Sequence, residues 1–119
     1  MATAYEDRIR ELDAHAREFA TVLDPDPPDD ELAADVVRLG VGPTVALYCE
    51  ARTGADWHRF ERQQFRRLQA TFDRWLACYG ACYGVDLSGS YSLRTAAELL
   101  VDTHDARAVA AVLTGVPGR

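Results

Sequence analysis

The sequence predicts an all-α fold, a single compact domain of five to six helices packed around one long central helix over about residues 56–79. Apolar residues recur at three- and four-residue spacing along most of the chain, which is the pattern of helices with one buried side. Capping residues, glycines and prolines punctuate that pattern, and no useful length shows the alternation of a strand. We expect the domain over residues 1–114 and a short C-terminal tail over residues 115–119.

The first helix is predicted to begin at Thr3. Thr3 and Glu6 have the spacing of a capping box, in which each side chain bonds a free amide of the first turn. Six apolar residues then recur at spacings of four and three. They are Tyr5, Ile9, Leu12, Ala16, Phe19 and Leu23. Three prolines between residues 25 and 28 end the helix, because proline lacks an N–H group and its ring clashes with the preceding turn.

Two shorter helices are predicted next. Asp29 can cap the second helix, since its carboxylate accepts bonds from free amides at the positive helix end. Gly40 is the natural end of this helix. Pro43 then suits a first helical turn, so residues 43–52 are predicted to form the third helix.

The fourth helix is the longest. Asp56 is its predicted cap, and six large apolar residues fall within about 100° of one another around the helix axis. They are Trp57, Phe60, Leu68, Phe72, Trp75 and Tyr79. The helix ends at either Gly80 or Gly84, and the spacing does not decide between them.

Two more helices complete the domain. Ser92 can cap the fifth helix, which is predicted to run through Val101, and Asp105 can cap the sixth, ending at Thr114. The stretch from residue 106 to 111 is almost entirely small and apolar. We therefore interpret the sixth helix as a core or dimerisation helix.

The composition limits the class of protein. The 119 residues fit one domain, and a hydrophobic content of 48% excludes wholesale disorder. All 13 basic residues are Arg, and 19 acidic residues leave a net charge of -6. This acidic, lysine-free composition resembles that of extremely halophilic archaea, although a GC-rich bacterial genome also favours Arg and Ala.

The sequence predicts a cytoplasmic protein that does not enter a membrane. Its longest uncharged runs have 11 residues, whereas a bilayer span needs about 20. The N-terminus lacks the apolar core of a signal peptide. Three cysteines are an odd number, which favours reduced thiols over a disulfide framework.

Arginines cluster on the long helix and form a candidate basic ridge on the side opposite the aromatic residues. The ridge consists of Arg59, Arg62, Arg66, Arg67 and Arg74. One interpretation is a solvated side that also pairs with the acidic first helices. The other is a surface for nucleic acid, which is not favoured because nucleic-acid binders are usually basic as whole domains.

A tandem repeat, Ala-Cys-Tyr-Gly at 77–80 and again at 81–84, gives a second candidate surface. If the helix continues, the small residues Ala77, Gly80, Ala81 and Gly84 form a smooth side. A glycine inside a helix costs about 1 kcal/mol relative to alanine. Close approach of another backbone, from the same chain or from a partner subunit, would offset that cost.

Two enzymatic alternatives remain, neither of which is preferred. Cys49, Cys78 and Cys82 are candidate soft ligands for a metal ion, though one-turn cysteine spacing is a weak signal. Arg52 and His58 resemble the R-x(4–6)-H pattern of HEPN-type ribonucleases, an all-α class in which both side chains converge on the phosphate. Here Gly54 and Asp56 separate the two residues and predict different elements for them.

The preferred hypothesis is a small helical protein-protein interaction or regulatory module without catalytic activity. It is expected to form a homodimer, and the sequence predicts no catalytic residue, no cofactor and no metal ion. A nucleic-acid-associated regulator that uses the basic ridge is the alternative. A metal-binding or HEPN-like enzyme comes third.

Overall fold

Helices account for nearly all of the computed structural model, which describes residues 4–22, 29–53, 62–87 and 89–116. The elements are α1 (Ala4–Val22), α2 (Asp30–Val36), a π-helical turn (Val37–Val41), α3 (Gly42–Thr53), α4 (Arg62–Ala81), α5 (Leu93–Thr103) and α6 (Ala106–Thr114). These ranges contain no strand, and the Cα radius of gyration is 13.8 Å. A compact chain of this length has a radius of about 13.5 Å. The predicted all-α single domain is confirmed.

Three of the predicted caps are confirmed. The Asp29 carboxylate accepts a hydrogen bond from the Leu32 amide at 2.9 Å, and the Ser92 hydroxyl accepts one from the Thr95 amide at 3.1 Å. The Asp105 carboxylate accepts from the first-turn amides of α6. The predicted caps Thr3 and Asp56 lie outside the described residues.

The C-terminal ends of the last two helices follow the same local chemistry. Helix α6 ends at Thr114 as predicted, and Gly115 then takes the left-handed conformation. Helix α5 continues two residues beyond the predicted Val101. His104 ends it in the left-handed region, with φ 54°, and its amide donates to the Leu100 carbonyl.

The prediction that Gly40 ends the second helix is wrong. Helical backbone continues from α2 through the π turn into α3, and the Gly42 amide donates to the Val37 carbonyl five residues back. Gly40 does not end a helix but provides the space in which Trp75 packs. A Cβ at Gly40 would lie 1.9 Å from Cδ2 of Trp75, so only glycine lets the indole ring rest on this turn.

The continuous run from Asp30 to Ala51 is apolar enough, with a mean hydropathy of 1.3, to cross a membrane by length and composition alone. Half of its most apolar window is buried inside the fold. Core helices of soluble proteins have the same property, and this helix packs among the others as a core helix does.

Helix α4 has the predicted dry and wet sides over its described length. Leu68, Phe72, Trp75 and Tyr79 are completely buried, while Arg62, Arg66 and Arg67 are exposed. The indole Nε1 of Trp75 donates to the Leu12 carbonyl at 3.0 Å, which joins the centre of α4 to α1. The predicted beginning of this helix, residues 56–61, lies outside the described residues.

The C-terminal end of α4 settles the question of the two glycines. The helix includes Gly80 and ends at Ala81, and Gly84 follows in a turn with φ 73°. A Cβ at Gly80 would lie 2.6 Å from the side chain of Leu87 and 2.8 Å from the Val85 carbonyl oxygen. The close backbone approach therefore comes from the same chain.

The buried part of the molecule extends beyond the predicted boundary at Thr114. Val116 is only 5% exposed, and its carbonyl accepts a hydrogen bond from the Tyr79 hydroxyl at 2.7 Å. The first part of the expected tail is thus packed against α4. Residues 117–119 lie outside the described residues.

Candidate functional site

A groove of about 320 Å³ lies between α1 and α4 and has the largest number of charged side chains among the described cavities. Its lining comes entirely from these two helices. The lining residues are Glu6, Ile9, Arg10, Asp13, Arg17, Gln64, Arg67, Ala70, Thr71 and Arg74. Four of them are arginines and two are carboxylates, so the lining has a net positive charge.

The spacing of these residues explains why they meet. On α1, polar residues recur at spacings of four, three and four, from Glu6 to Arg17. On α4, they recur at spacings of three, four and three, from Gln64 to Arg74. Each set therefore occupies one side of its helix, next to the buried apolar side. Packing of the two apolar sides brings the polar borders together.

Asp13 is the centre of the hydrogen bonding in this groove. One carboxylate oxygen accepts from Nε of Arg74 and the other from Nε of Arg17, both at 2.9 Å. Burial by itself raises the pKa of Asp13, but the hydrogen bonds and charges of the two arginines outweigh it and lower the pKa. Asp13 is thus an ionised carboxylate at neutral pH that bonds two guanidinium groups, one through each oxygen.

Two buried polar side chains border the groove. Thr71 is 1% exposed, and its hydroxyl donates to the Asp13 carboxylate at 3.4 Å. Gln64 is 5% exposed, and its amide donates to the Glu6 carboxylate at 3.0 Å. Buried polar groups need such partners, because a buried donor or acceptor without a hydrogen bond costs about 1–3 kcal/mol of folding stability. Both carboxylates of the groove are therefore already engaged as acceptors.

The arginines, in contrast, keep donors available. Arg17 and Arg74 bond Asp13 through Nε, and their Nη groups have no acceptor among the described residues. Within the same part of the chain, Arg67 has no carboxylate partner at all. Arg10 makes one contact of 3.3 Å to Asp7 on its own helix. The groove consequently presents several N–H donors without acceptors.

The predicted basic ridge divides into two groups. Arg67 and Arg74 line the groove, and Arg74 pairs with an acidic residue of α1, as the solvated-side interpretation expects. Arg62 and Arg66 are exposed outside the groove and have no carboxylate partner in the described ranges. Arg59 lies outside those ranges.

The candidate small-residue surface is only partly open. Gly80 is buried beneath Leu87 and cannot meet a partner subunit without displacing that loop. Ala77, Ala81 and Gly84 border a shallow depression beside the same loop. Whether these three contact a partner stays a prediction.

The last two helices each expose one large apolar side chain. Val112 on α6 is 63% exposed, and Val101 on α5 is 64% exposed. Arg107 is the one charged residue in α6, and it lies about 140° around the helix axis from Val112. Its partly exposed side chain donates to the Tyr83 hydroxyl at 2.9 Å and to Asp30 at 3.3 Å. The outer side of α6 therefore keeps no charge of its own.

The cysteines lie where thiol chemistry is disfavoured. Cys78 lies in the last turn of α4 and Cys82 in the turn just after it, where its amide donates to the Cys78 carbonyl, and both are buried. Burial raises the pKa of each thiol to about 11, so both are protonated at neutral pH. No group of three metal-ligating side chains occurs among the described residues. The HEPN-like pair, the side chain of Arg52 and His58, lies outside them.

Sequence reasoning missed the groove, although it singled out Arg67 and Arg74. The missed residues are Arg10, Asp13, Arg17 and Thr71. The available signal was the regular spacing of polar residues beside the apolar stripe of the first helix. That signal marks one side of a helix, but it does not say which other helix lies against it.

The six α-helices of the described residues lie within one continuous stretch that matches a family of other sequences. No curated protein and no solved structure matches the chain. A family described as a domain of unknown function (DUF8055) matches residues 3–118, a range that includes α1 through α6. The chain therefore belongs to this family.

Proposed function

We propose that the protein is a small, non-catalytic interaction module that forms a homodimer through the outer side of α6. The observation that carries this proposal is the exposure of Val112 on a helix side without charge. A second copy is the occupant that fits best, because an uncharged side with small residues can pack against itself about a two-fold axis.

The charges around α6 support this choice. Arg107 is bonded to Tyr83 and Asp30 and does not interrupt the outer side. Ala108 lies one turn before Val112 on the same side of α6, and its short side chain allows two helix backbones to approach closely. A stable dimer buries about 800 Å² on each partner, so the interface must also include part of α5, where Val101 is exposed.

A cytoplasmic location is part of the same proposal. Cys49, Cys78 and Cys82 form no disulfide in the described part of the chain, which fits a reducing compartment. The protonated state of Cys78 and Cys82 supports a non-catalytic role, because a thiolate is the form that attacks substrates and binds metals.

Light scattering in 1 M KCl tests the proposal, because this salt screens charge contacts beyond about 3 Å and leaves apolar contacts intact. We expect a dimer for the wild type and a dimerisation constant at least tenfold weaker for Val112→Glu. Ala46→Glu, on the exposed side of α3, is the matched control and should dimerise like the wild type. A monomeric wild type, or equal weakening by both variants, would contradict the proposal.

Nucleic-acid binding is the second candidate, and a specific observation favours it. Arg62 and Arg66 are exposed, and no carboxylate in the described part of the chain pairs with them. Contacts to phosphates release counterions, so binding should be strongest at low salt. The net charge of -6 opposes association with a polyanion, which is why this candidate stands second.

A further inference from the structure

We propose that the groove between α1 and α4 binds a small phosphomonoester, with its phosphate held by Arg67, Arg74 and Arg17. This inference goes beyond dimerisation through α6 and does not depend on it. The two surfaces differ in chemistry, because charged side chains line the groove whereas the outer side of α6 is apolar.

The sign of the charge selects an anion. Four arginines line the groove, against the carboxylates of Asp13 and Glu6. Asp13 already accepts from two guanidinium groups, and Glu6 already accepts from Gln64. The positive charge that remains is therefore available to a ligand.

The geometry of the hydrogen bonds favours a phosphate. Asp13 takes Nε of both Arg17 and Arg74, so the Nη nitrogens of these two groups are left for another acceptor. A guanidinium group donates two parallel bonds to a phosphate or carboxylate, and such charge-assisted bonds are roughly twice as strong as neutral ones. Arg67, which has no carboxylate partner in the described chain, adds a third guanidinium group.

Asp13 also lowers the cost of binding. Ordering a long side chain on binding costs about 0.5–1.5 kcal/mol. Arg17 and Arg74 are already positioned by hydrogen bonds of 2.9 Å to Asp13 in the protein without a ligand, so less of this cost remains to be met on binding. Asp13 is a positioning residue in this proposal, because it acts through the arginines and not on the ligand.

The size and the lining of the groove favour a small ester over a polymer. A volume of about 320 Å³ is at the lower end of the range for small-molecule sites, about 300–1,000 Å³. Ile9 and Ala70 supply an apolar part of the lining for the carbon skeleton. A nucleic acid would instead follow the exposed helix surface and contact Arg62 and Arg66, which lie outside the groove.

Calorimetric titration with phenyl phosphate at low ionic strength tests the proposal, with phenol as the uncharged control. We expect phenyl phosphate to bind and phenol not to bind. Arg67→Ala should weaken the binding about tenfold, which corresponds to the loss of one charge-assisted contact. Arg66→Ala removes the same charge one residue away on another side of α4, and it should weaken binding less than twofold.

Both variants should keep the fold, since neither guanidinium group has an ion-pair partner in the described chain, and circular dichroism verifies this. Equal weakening by Arg66→Ala and Arg67→Ala would overturn the proposal, because it would indicate a diffuse charge effect. Inorganic phosphate that binds as tightly as phenyl phosphate would overturn the choice of an ester. Binding of a 12-nucleotide RNA that depends on Arg62 and Arg66, without binding of phenyl phosphate, would overturn the groove in favour of nucleic acid.

Discussion

Helix α4 makes two contacts of opposite character within two turns. On the border that faces α1, Arg74 and Thr71 reach the carboxylate of Asp13, and the contact leaves a groove beside it. At the centre of the helix, Trp75 lies on Gly40 of the π turn, and no space remains between ring and backbone. The polar contact joins the ends of long side chains. The apolar contact instead depends on a residue without a side chain, Gly40, which lets the indole ring lie directly on the backbone.

This difference indicates where the chain tolerates change. Side chains that meet at their tips leave open space beside them, so a substitution there can be accommodated without overlap. An indole ring on a glycine has no such freedom, since interiors are packed to the density of organic crystals. We therefore expect the contact at Gly40 to be the more sensitive to substitution.

The largest expected effect is that of Gly40→Ala. The new methyl group would overlap the indole of Trp75, and overpacking of a core costs about 1–3 kcal/mol or more, so we expect at least about 3 kcal/mol of lost stability here. Urea denaturation measures it. Gly115→Ala is the control, because its Cβ meets nothing within 4 Å and only the left-handed backbone, with φ 71°, is strained. If both variants lost a similar amount of stability, the overlap with Trp75 would not be the main cause of the effect at Gly40.

An intermediate effect is expected for Asp13→Asn, which keeps the shape and removes the charge. Arg17 and Arg74 then lose their ionised partner, and hydrogen bonds to charged groups contribute about 1.5–3 kcal/mol each at most. Asp86→Asn, in the loop after α4, is the matched control and should leave the unfolding midpoint unchanged.

Acidity should cancel the difference between Asp13→Asn and the wild type. The folded protein lowers the pKa of Asp13 below its ordinary 3.8, so the carboxylate stabilises the fold above that pH. This contribution is lost as the pH falls through the lowered pKa. A difference in unfolding midpoint that stays constant as the pH is lowered from neutral through the acidic range would show that the variant acts by some route other than charge.

The smallest effect is expected for Glu50→Gln on α3. The pair Arg8–Glu50 has two parallel contacts of 3.0 Å, a better geometry than that of Asp13, but both side chains are about half exposed. Exposed pairs are weakened by solvent and salt. We expect an unfolding midpoint close to that of the wild type, and clearly above that of Asp13→Asn. The reverse order would mean that bond geometry matters more than burial.

The helix ends show what the sequence can predict. Ser92 and Asp105 cap α5 and α6 because a side-chain oxygen within three residues satisfies a free amide, and this chemistry is complete within one turn. Gly40 has the same local appearance as a helix end. Its role is fixed by Trp75, which is 35 residues away, so no local rule distinguishes the two cases.

The groove could be predicted only in part, for a related reason. Periodicity shows that Asp13 and Arg17 share one side of α1 and that Arg67 and Arg74 share one side of α4. It does not show that these sides are neighbours, because about sixty residues separate them. The choice of Arg74 as the partner of Asp13 depends on how the two apolar sides pack, which is a property of the whole core.

The π turn at Val37–Val41 also constrains the length of the chain. Its hydrogen bonds join residues five apart, one more than in an α-helix. Deletion of a single residue there would therefore restore α-helical hydrogen bonds and keep the helix continuous. Every side chain beyond that point would then swing by about 100° around the axis. Leu47 and Ala51, now completely enclosed, would turn away from the interior. In this segment the number of residues matters as much as their identity.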